Sequence, residues 1–271
     1  MPELVITISS AGKGATDLII GNAIGSNICN LLLILGVTAI LRTIEIDKET
    51  RRIHLPVALI SNITILFMGL GFLGSKSNVI SREDGRILII LYSLYFLYPI
   101  LVELKDIIIS IKKEKNNKTE KRSSFILSIL VIVIGAILLK YGGDIVVDEA
   151  SKIAAIYGIS ERVIGLTIVA IGTALPELIT SIIASVKGEQ GLALGNLIGS
   201  CILNSFLILG VGAIITPLIF TMEFVKSLIL LIASIVLIMM FSYIGKRNTI
   251  TRYDAGILLV IYVIYVFNLI W

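Results

Sequence analysis

Residues 170–186 read A-I-G-T-A-L-P-E-L-I-T-S-I-I-A-S-V, and residues 194–210 read L-G-N-L-I-G-S-C-I-L-N-S-F-L-I-L-G. Residues 2–10 read P-E-L-V-I-T-I-S-S, and residues 20–36 read I-G-N-A-I-G-S-N-I-C-N-L-L-L-I-L-G. Adding 174 to a number in the earlier pair gives its counterpart in the later one. Pro2 and Glu3 fall on Pro176 and Glu177, and Gly21 and Asn22 on Gly195 and Asn196. Gly25, Ser26, Asn30 and Gly36 fall on Gly199, Ser200, Asn204 and Gly210. Each copy sets a Glu directly after a Pro in an apolar stretch, then a Gly-Ser and an Asn inside the next one.

The surroundings of these copies are lipid-like. The chain has 271 residues, 56% hydrophobic and only 15% charged, where soluble domains carry about a quarter charged residues. Apolar runs of about 20 residues, long enough to cross a bilayer as helix, recur. Segments of about ten alternating residues, the mark of a membrane β-barrel, are absent. The expected fold is therefore an all-α polytopic membrane protein. Full spans are expected at 18–41, 53–73, 86–109, 125–139, 163–186, 192–215, 222–243 and 255–271. That makes about eight spans, with one partial helix over 2–11 closed by Gly12-Lys13-Gly14. No basic leader precedes P-E-L-V-I-T, so no cleavable signal peptide is expected.

Between the two Pro-Glu helices the chain crosses the bilayer five times, an odd number. The copies then point in opposite directions, the inverted-topology repeat of many secondary transporters. The division is 1–111 as a first five-helix unit lacking its front, 112–122 as a basic linker, and 123–271 as the second unit. Loop Lys and Arg sort into two sets. One holds Arg42, Lys48, Arg51, Arg52, the linker, Lys187, Lys246, Arg247 and Arg252, the other Lys13, Lys76, Arg82, Arg86, Lys140, Lys152, Arg162 and Lys226. The first is larger and denser, which places the linker in the cytoplasm and the C-terminus outside, in a plasma membrane. In a membrane protein the net charge of +4 reflects orientation, not nucleic-acid binding.

A carboxylate within a bilayer costs several kcal/mol without a partner, so an intramembrane Glu reads first as functional. Glu3 and Glu177 occupy equivalent places, and a pseudo-two-fold would bring them together near the midplane. Two carboxylates there want a cation. Ca²⁺ takes about six to eight oxygens from carboxylates, amides and backbone carbonyls. Asn30 and Asn204 offer amide oxygens, and Ser26, Ser200, Thr173 and Thr180 offer hydroxyls. Pro176 cannot donate and would free a carbonyl near Gly172 and Thr173. Gly25, Gly172 and Gly199 would let backbones approach. The bland readings are packing for the Ser and Thr, and interhelical hydrogen bonding for Asn22 and Asn196. Cys29 and Cys201 read as buried free thiols, His54 as interfacial, Tyr92, Tyr95 and Tyr98 as an aromatic belt, and Glu103 and Lys105 as snorkelling ends. Asp144, Asp148 and Glu149 would face the outer solution.

G-T-A-L-P-E-L and G-N-x-I-G-S-x-I-x-N, each in a repeat, resemble the α-repeats of the sodium/calcium exchanger family, and the likeness covers essentially the whole chain. It implies ten helices in a full member and exchange of Na⁺ for Ca²⁺ at sites between the repeat helices. Glu3 and Glu177 would be the shared carboxylates. Asn30, Asn204, Ser26, Ser200, Thr173 and the Ala170 carbonyl would complete the coordination. There are departures. The family's first helix, and the G-T-S before the first Pro-Glu, have no counterpart in the chain. Ala174 stands where the family has Ser, and Asn204 where many members have Asp. The acid at that second position is linked to K⁺ use, so the resemblance implies K⁺-independent exchange at a site of two formal negative charges.

The expectation is thus a transporter and not an enzyme, with Ca²⁺ and Na⁺ as cargo, no cofactor, membrane lipid as its surroundings and a monomeric state. The alternatives are an H⁺/Ca²⁺ antiporter on the same fold, and a cation-binding fragment without transport. The second follows from the sequence joining the first motif in mid-helix, as though Met1 were an internal codon.

Overall fold

The computed structural model describes residues 2–72, 78–111, 161–244 and 248–270, with isolated residues between 130 and 158. Helix α1 is Pro2–Gly12, ended by Gly14 at φ 71°. Then follow α2 (Thr16–Leu41), α3 (Thr50–Gly69), α4 (Arg82–Ile111), α5 (Arg162–Lys187), α6 (Gln190–Ile215), α7 (Met222–Ile244) and α8 (Arg252–Ile270). Six of these are apolar and long enough to cross a membrane among the described residues. Helix α4 has 30 residues, about 45 Å of helix, and fills the expected 86–109 span. The expected 125–139 span, the linker, and Asp144, Asp148 and Glu149 lie outside the described residues, apart from isolated positions in the first.

The fold is organised by two 26-residue helices, α2 and α6, which carry the Gly-Ser-Asn stretches. Both are buried over most of their length because both faces meet protein. Each contains one widened, π-type turn, at Cys29–Ile34 in α2 and at Asn204–Ile208 in α6. A third such turn, Gly165–Val169, lies in α5. Such turns appear mostly as local bulges and often at functional sites.

The packing crosses between the halves. Gly36 of α2 lets α8 approach so closely that a Cβ there would lie 2.8 Å from Leu259 Cγ. Its counterpart Gly210 on α6 lies against α4, where a Cβ would meet Ile89 Cγ1 at 2.9 Å and the Gly85 carbonyl at 3.1 Å. Helices α4 and α8 open with matching capping boxes, Ser81 with Asp84 and Thr251 with Asp254.

Four two-residue strands close the ends. β1 (Ile44–Glu45) pairs antiparallel with β4 (Thr249–Ile250), and β2 (Val79–Ile80) with β3 (Leu218–Ile219). β1 and β3 are themselves 174 apart (44 + 174 = 218). The loop charges collect accordingly. At one end Arg42 donates to the Ser185 and Val186 carbonyls, the Glu45 amide to Gln190, and Arg51 to Asn248. At the other Arg162 pairs with Asp17 and Glu223, and Arg82 donates to the Ile215 carbonyl. The two sets of Lys and Arg sorted from sequence thus supply residues to two different ends of the bundle.

Pro176, expected to free a carbonyl near Gly172 and Thr173, does not interrupt helix α5, which runs through it to a left-handed Gly188. The irregularity sits a turn earlier, at Gly165–Val169, where widening absorbs misfit without breaking the helix.

Candidate cation site

The Pro-Glu helices and the Gly-Ser-Asn helices meet in the middle of the bundle. Glu3 on α1 is 4% exposed. Glu177, one residue after Pro176 on α5, is half-buried and lies within electrostatic reach of Glu3. Its Oε2 is buried and accepts no hydrogen bond among the described residues. Thr7 Oγ1, Ser181 Oγ and Asn30 Oδ1 are in the same condition. Thr7 and Ser181 are counterparts at the same offset, each one turn beyond its Glu. Buried polar atoms are ordinarily satisfied, so these four oxygens are open to a partner.

Ser26 Oγ and Thr173 Oγ1 stand 3.0 Å apart, joining α2 to α5. Thr173 Oγ1 is also 3.2 Å from Asn22 Oδ1 and from the Ala170 carbonyl, two acceptors it can serve with its proton. Gly25 permits this approach: a Cβ there would lie 2.7 Å from the Leu166 carbonyl and 2.8 Å from Ala170 Cβ. The structure thus joins Ser26, Thr173 and Ala170 directly, and Asn22 acts as an interhelical acceptor.

Asn204 opens its widened turn and Asn30 is the second residue of the other, both buried. Asn204 Nδ2 donates to Asn27 Oδ1 at 3.1 Å, and Asn30 contacts the Cys201 thiol. Ser200 is half-buried on α6, one turn before Asn204, and no hydrogen bond ties it to the other expected ligands among the described residues. Thr180 is exposed; it donates to helix carbonyls behind it and receives Asn196 Nδ2 at 3.3 Å. At Gly199, as at Gly195, a Cβ would find nothing within 4 Å among the described residues. Cys29 and Cys201 are buried and free, and Tyr95 hydrogen-bonds His54 Nδ1 at 2.7 Å.

Five residues escaped the sequence reading: Thr7 and Ser181 one turn beyond the two Glu, and three more behind Asn204. Asn27, Asn62 on α3 and Ser205 form a buried string there, with Asn27 Nδ2 3.0 Å from Ser205 Oγ and Ser205 Oγ 3.2 Å from Asn62 Oδ1. For Asn27 a signal existed: the repeats differ there, Asn in G-S-N against Cys in G-S-C. Asn62 and Ser205 sit in apolar runs with no counterpart of their own kind, and nothing marks them.

Among the described residues no group of three or more His, Cys, Asp or Glu comes together. A cation here would be held by two carboxylates and neutral oxygens, the donor set of a hard ion.

A polytopic helical bundle with buried carboxylates and unsatisfied oxygens between paired, irregular helices is a membrane transporter in class. The family model for the sodium/calcium exchanger protein matches residues 1–101 and 127–271, and the chain belongs to that family. It is 34% identical over 278 residues to a chain named as antiporter CaxA of Alkalimonas amylolytica, covering 97% of this chain and 82% of that one. It is 29% identical over 301 residues to the sodium/calcium exchanger MaX1 of Methanosarcina acetivorans, covering 97% and 83%. A solved structure of the sodium-calcium exchanger NCX_Mj superimposes with a TM-score of 0.76 at 32% identity, over 98% of this chain and 81% of that one. The protein is therefore a multi-pass membrane exchanger of the cation/Ca²⁺ type and not an enzyme.

Proposed function

We propose that the chain exchanges Na⁺ for Ca²⁺ across the plasma membrane by alternating access, without K⁺. The observation that carries this reading is the presence of buried, unpartnered oxygens on Thr7, Asn30, Glu177 and Ser181 among the described residues, with Glu177 in electrostatic reach of Glu3. Glu3 and Glu177 serve both ions, so that Ca²⁺ and Na⁺ occupy the carboxylates by turns. Ser26, Asn30, Ala170, Thr173, Ser200 and Asn204 complete the shell. Residues 1–111 and 123–271 form two opposed units, supported by the element correspondence at offset 174 and by the crossed packing of α2 on α8 and α6 on α4. The 112–122 linker faces the cytoplasm and the C-terminus the outside, and the functional unit is a monomer.

Ca²⁺ flux into proteoliposomes, driven first by a Na⁺ gradient and then by a pH gradient with and without K⁺, tests the proposal. Flux with Na⁺ alone is expected. Flux driven only by pH makes the protein an H⁺/Ca²⁺ antiporter. Ca²⁺ binding without flux makes it a cation-binding protein that does not transport.

A further inference from the structure

The charge of position 204 is governed by residues outside the expected ligand shell. Two backbone carbonyls, which can only accept, set the orientation of these residues. Asn27 Nδ2 lies 3.2 Å from the Cys201 carbonyl, so the amide of Asn27 must face that way. The same Nδ2 reaches Ser205 Oγ at 3.0 Å. Asn62 Nδ2 donates to the Ala58 carbonyl at 2.7 Å, so Asn62 presents its oxygen to Ser205. Ser205 spends its one proton on Asn62 Oδ1 at 3.2 Å and must accept from Asn27. Both N–H groups of Asn27 are then committed, and its Oδ1 is left as an acceptor.

Asn204 is the group that meets this oxygen, through Nδ2 at 3.1 Å. A carboxylate at 204 would set oxygen against oxygen at that distance, in a pocket where Asn27, Asn62, Ser205 and Asn204 are all 2% exposed or less. An unpaired buried acceptor is costly and an unpaired buried charge more so. The string cannot turn over to suit it. Flipping Asn27 would face its oxygen to the Cys201 carbonyl, and flipping Asn62 would do the same at Ala58.

We propose that Asn27, held in orientation by the Cys201 carbonyl, Ser205 and Asn62, is a positioning residue that admits only a neutral donor at position 204 and so restricts the cation site to the two charges of Glu3 and Glu177. This rests on the reading of that site as a Ca²⁺ site. It also gives a physical cause for Asn204 standing where many exchangers have Asp.

The test is a double-mutant cycle in the full chain, purified in detergent: native, Asn204→Asp, Asn27→Ala and the double variant. Melting without Ca²⁺ and ⁴⁵Ca²⁺ binding are both read. Asn204→Asp is expected to lower the melting temperature clearly in the native background and little beside Asn27→Ala. Ca²⁺ affinity is expected to rise about tenfold or more on Asn204→Asp beside Asn27→Ala, and not in the native background, a coupling within the range for residues in contact. Should Asn27→Ala not fold, Asn27→Thr, whose hydroxyl can donate or accept, completes the same cycle. Equal melting penalties in both backgrounds overturn the proposal. If the native chain binds no Ca²⁺, the site reading fails, while the melting cycle still decides whether Asn27 dictates the donor at 204.

Discussion

Asn27 and Cys201, 174 residues apart, hold each other's backbone. Asn27 Nδ2 donates to the Cys201 carbonyl at 3.2 Å, and Cys201 Sγ lies 3.8 Å from the Asn27 carbonyl. The flanking contacts repeat the exchange, Asn204 reaching Asn27 while Asn30 reaches Cys201. The sequence offset has become a place where α2 and α6 cross at equivalent residues. The two sides differ in strength, since an amide N–H is a full donor and a thiol a weak one. Asn27→Ala is expected to cost about 1–3 kcal/mol, the price of stranding buried partners. Cys201→Ala should cost less than half as much, because its carbonyl stays to receive Asn27. Melting of the two purified variants checks the order; equal losses contradict it.

The same substitution at two glycines 174 apart should give opposite results. At Gly25 a new methyl group meets the Leu166 carbonyl at 2.7 Å and its Cα at 2.8 Å, backbone atoms that cannot swing aside. Gly25→Ala should therefore destabilise by about 1–3 kcal/mol and push Ser26 away from Thr173. At Gly199 nothing lies within 4 Å among the described residues. Gly199→Ala should be neutral or stabilising by up to about 1 kcal/mol, since it only stiffens a helix. Thermal unfolding of the pair in one detergent reads this difference.

What was legible in the sequence follows from what leaves a pattern. Span length and apolarity marked α2, α3 and α5 to α8 because lipid imposes both. The two Pro-Glu copies were visible because repetition is visible, and they led to Glu3 and Glu177. The widened turns were not legible, since Cys29–Ile34 and Asn204–Ile208 are as apolar as ordinary helix. The Asn62 contact was hidden for another reason: it comes from α3, outside both motifs, and depends on packing between elements 143 residues apart. Close approach expected at Gly25 is present, while Gly199 has no such neighbour among the described residues. One glycine in a pattern cannot say whether a neighbour is there.

Asp47 offers a pH test away from the membrane. It caps the start of α3, accepting from the Thr50 amide at 2.8 Å and the Thr50 hydroxyl at 2.6 Å. Burial alone would raise its carboxyl, but these bonds and the Glu49 amide outweigh burial and hold it below the ordinary value of 3.8. A lowered folded value means stability that is present above about pH 4 and is lost as pH falls through the folded value. Asp47→Ala should cost about 1 kcal/mol at neutral pH, as for other N-caps. The gap between native and variant should close as pH drops from about 4 to about 2. A gap that widens on acidification has the wrong sign for this cap.

Glu177→Gln separates the cation site from the fold. The substitution keeps the size and hydrogen-bonding reach of the side chain and removes one of the two formal charges available to a cargo ion. Oε2 of Glu177 has no protein partner among the described residues, so replacing that oxygen breaks no internal hydrogen bond. The melting temperature without Ca²⁺ should hold or rise slightly, because a buried charge is removed. Ca²⁺ affinity should fall by about 100-fold, charge count being a main determinant of affinity at oxygen sites, and Na⁺-driven flux should vanish with it. Glu3→Gln should give the same result if both carboxylates hold one ion. Loss of Ca²⁺ binding from only one of the two variants would show that the ion rests on a single carboxylate and that the two copies are not equal partners in the site.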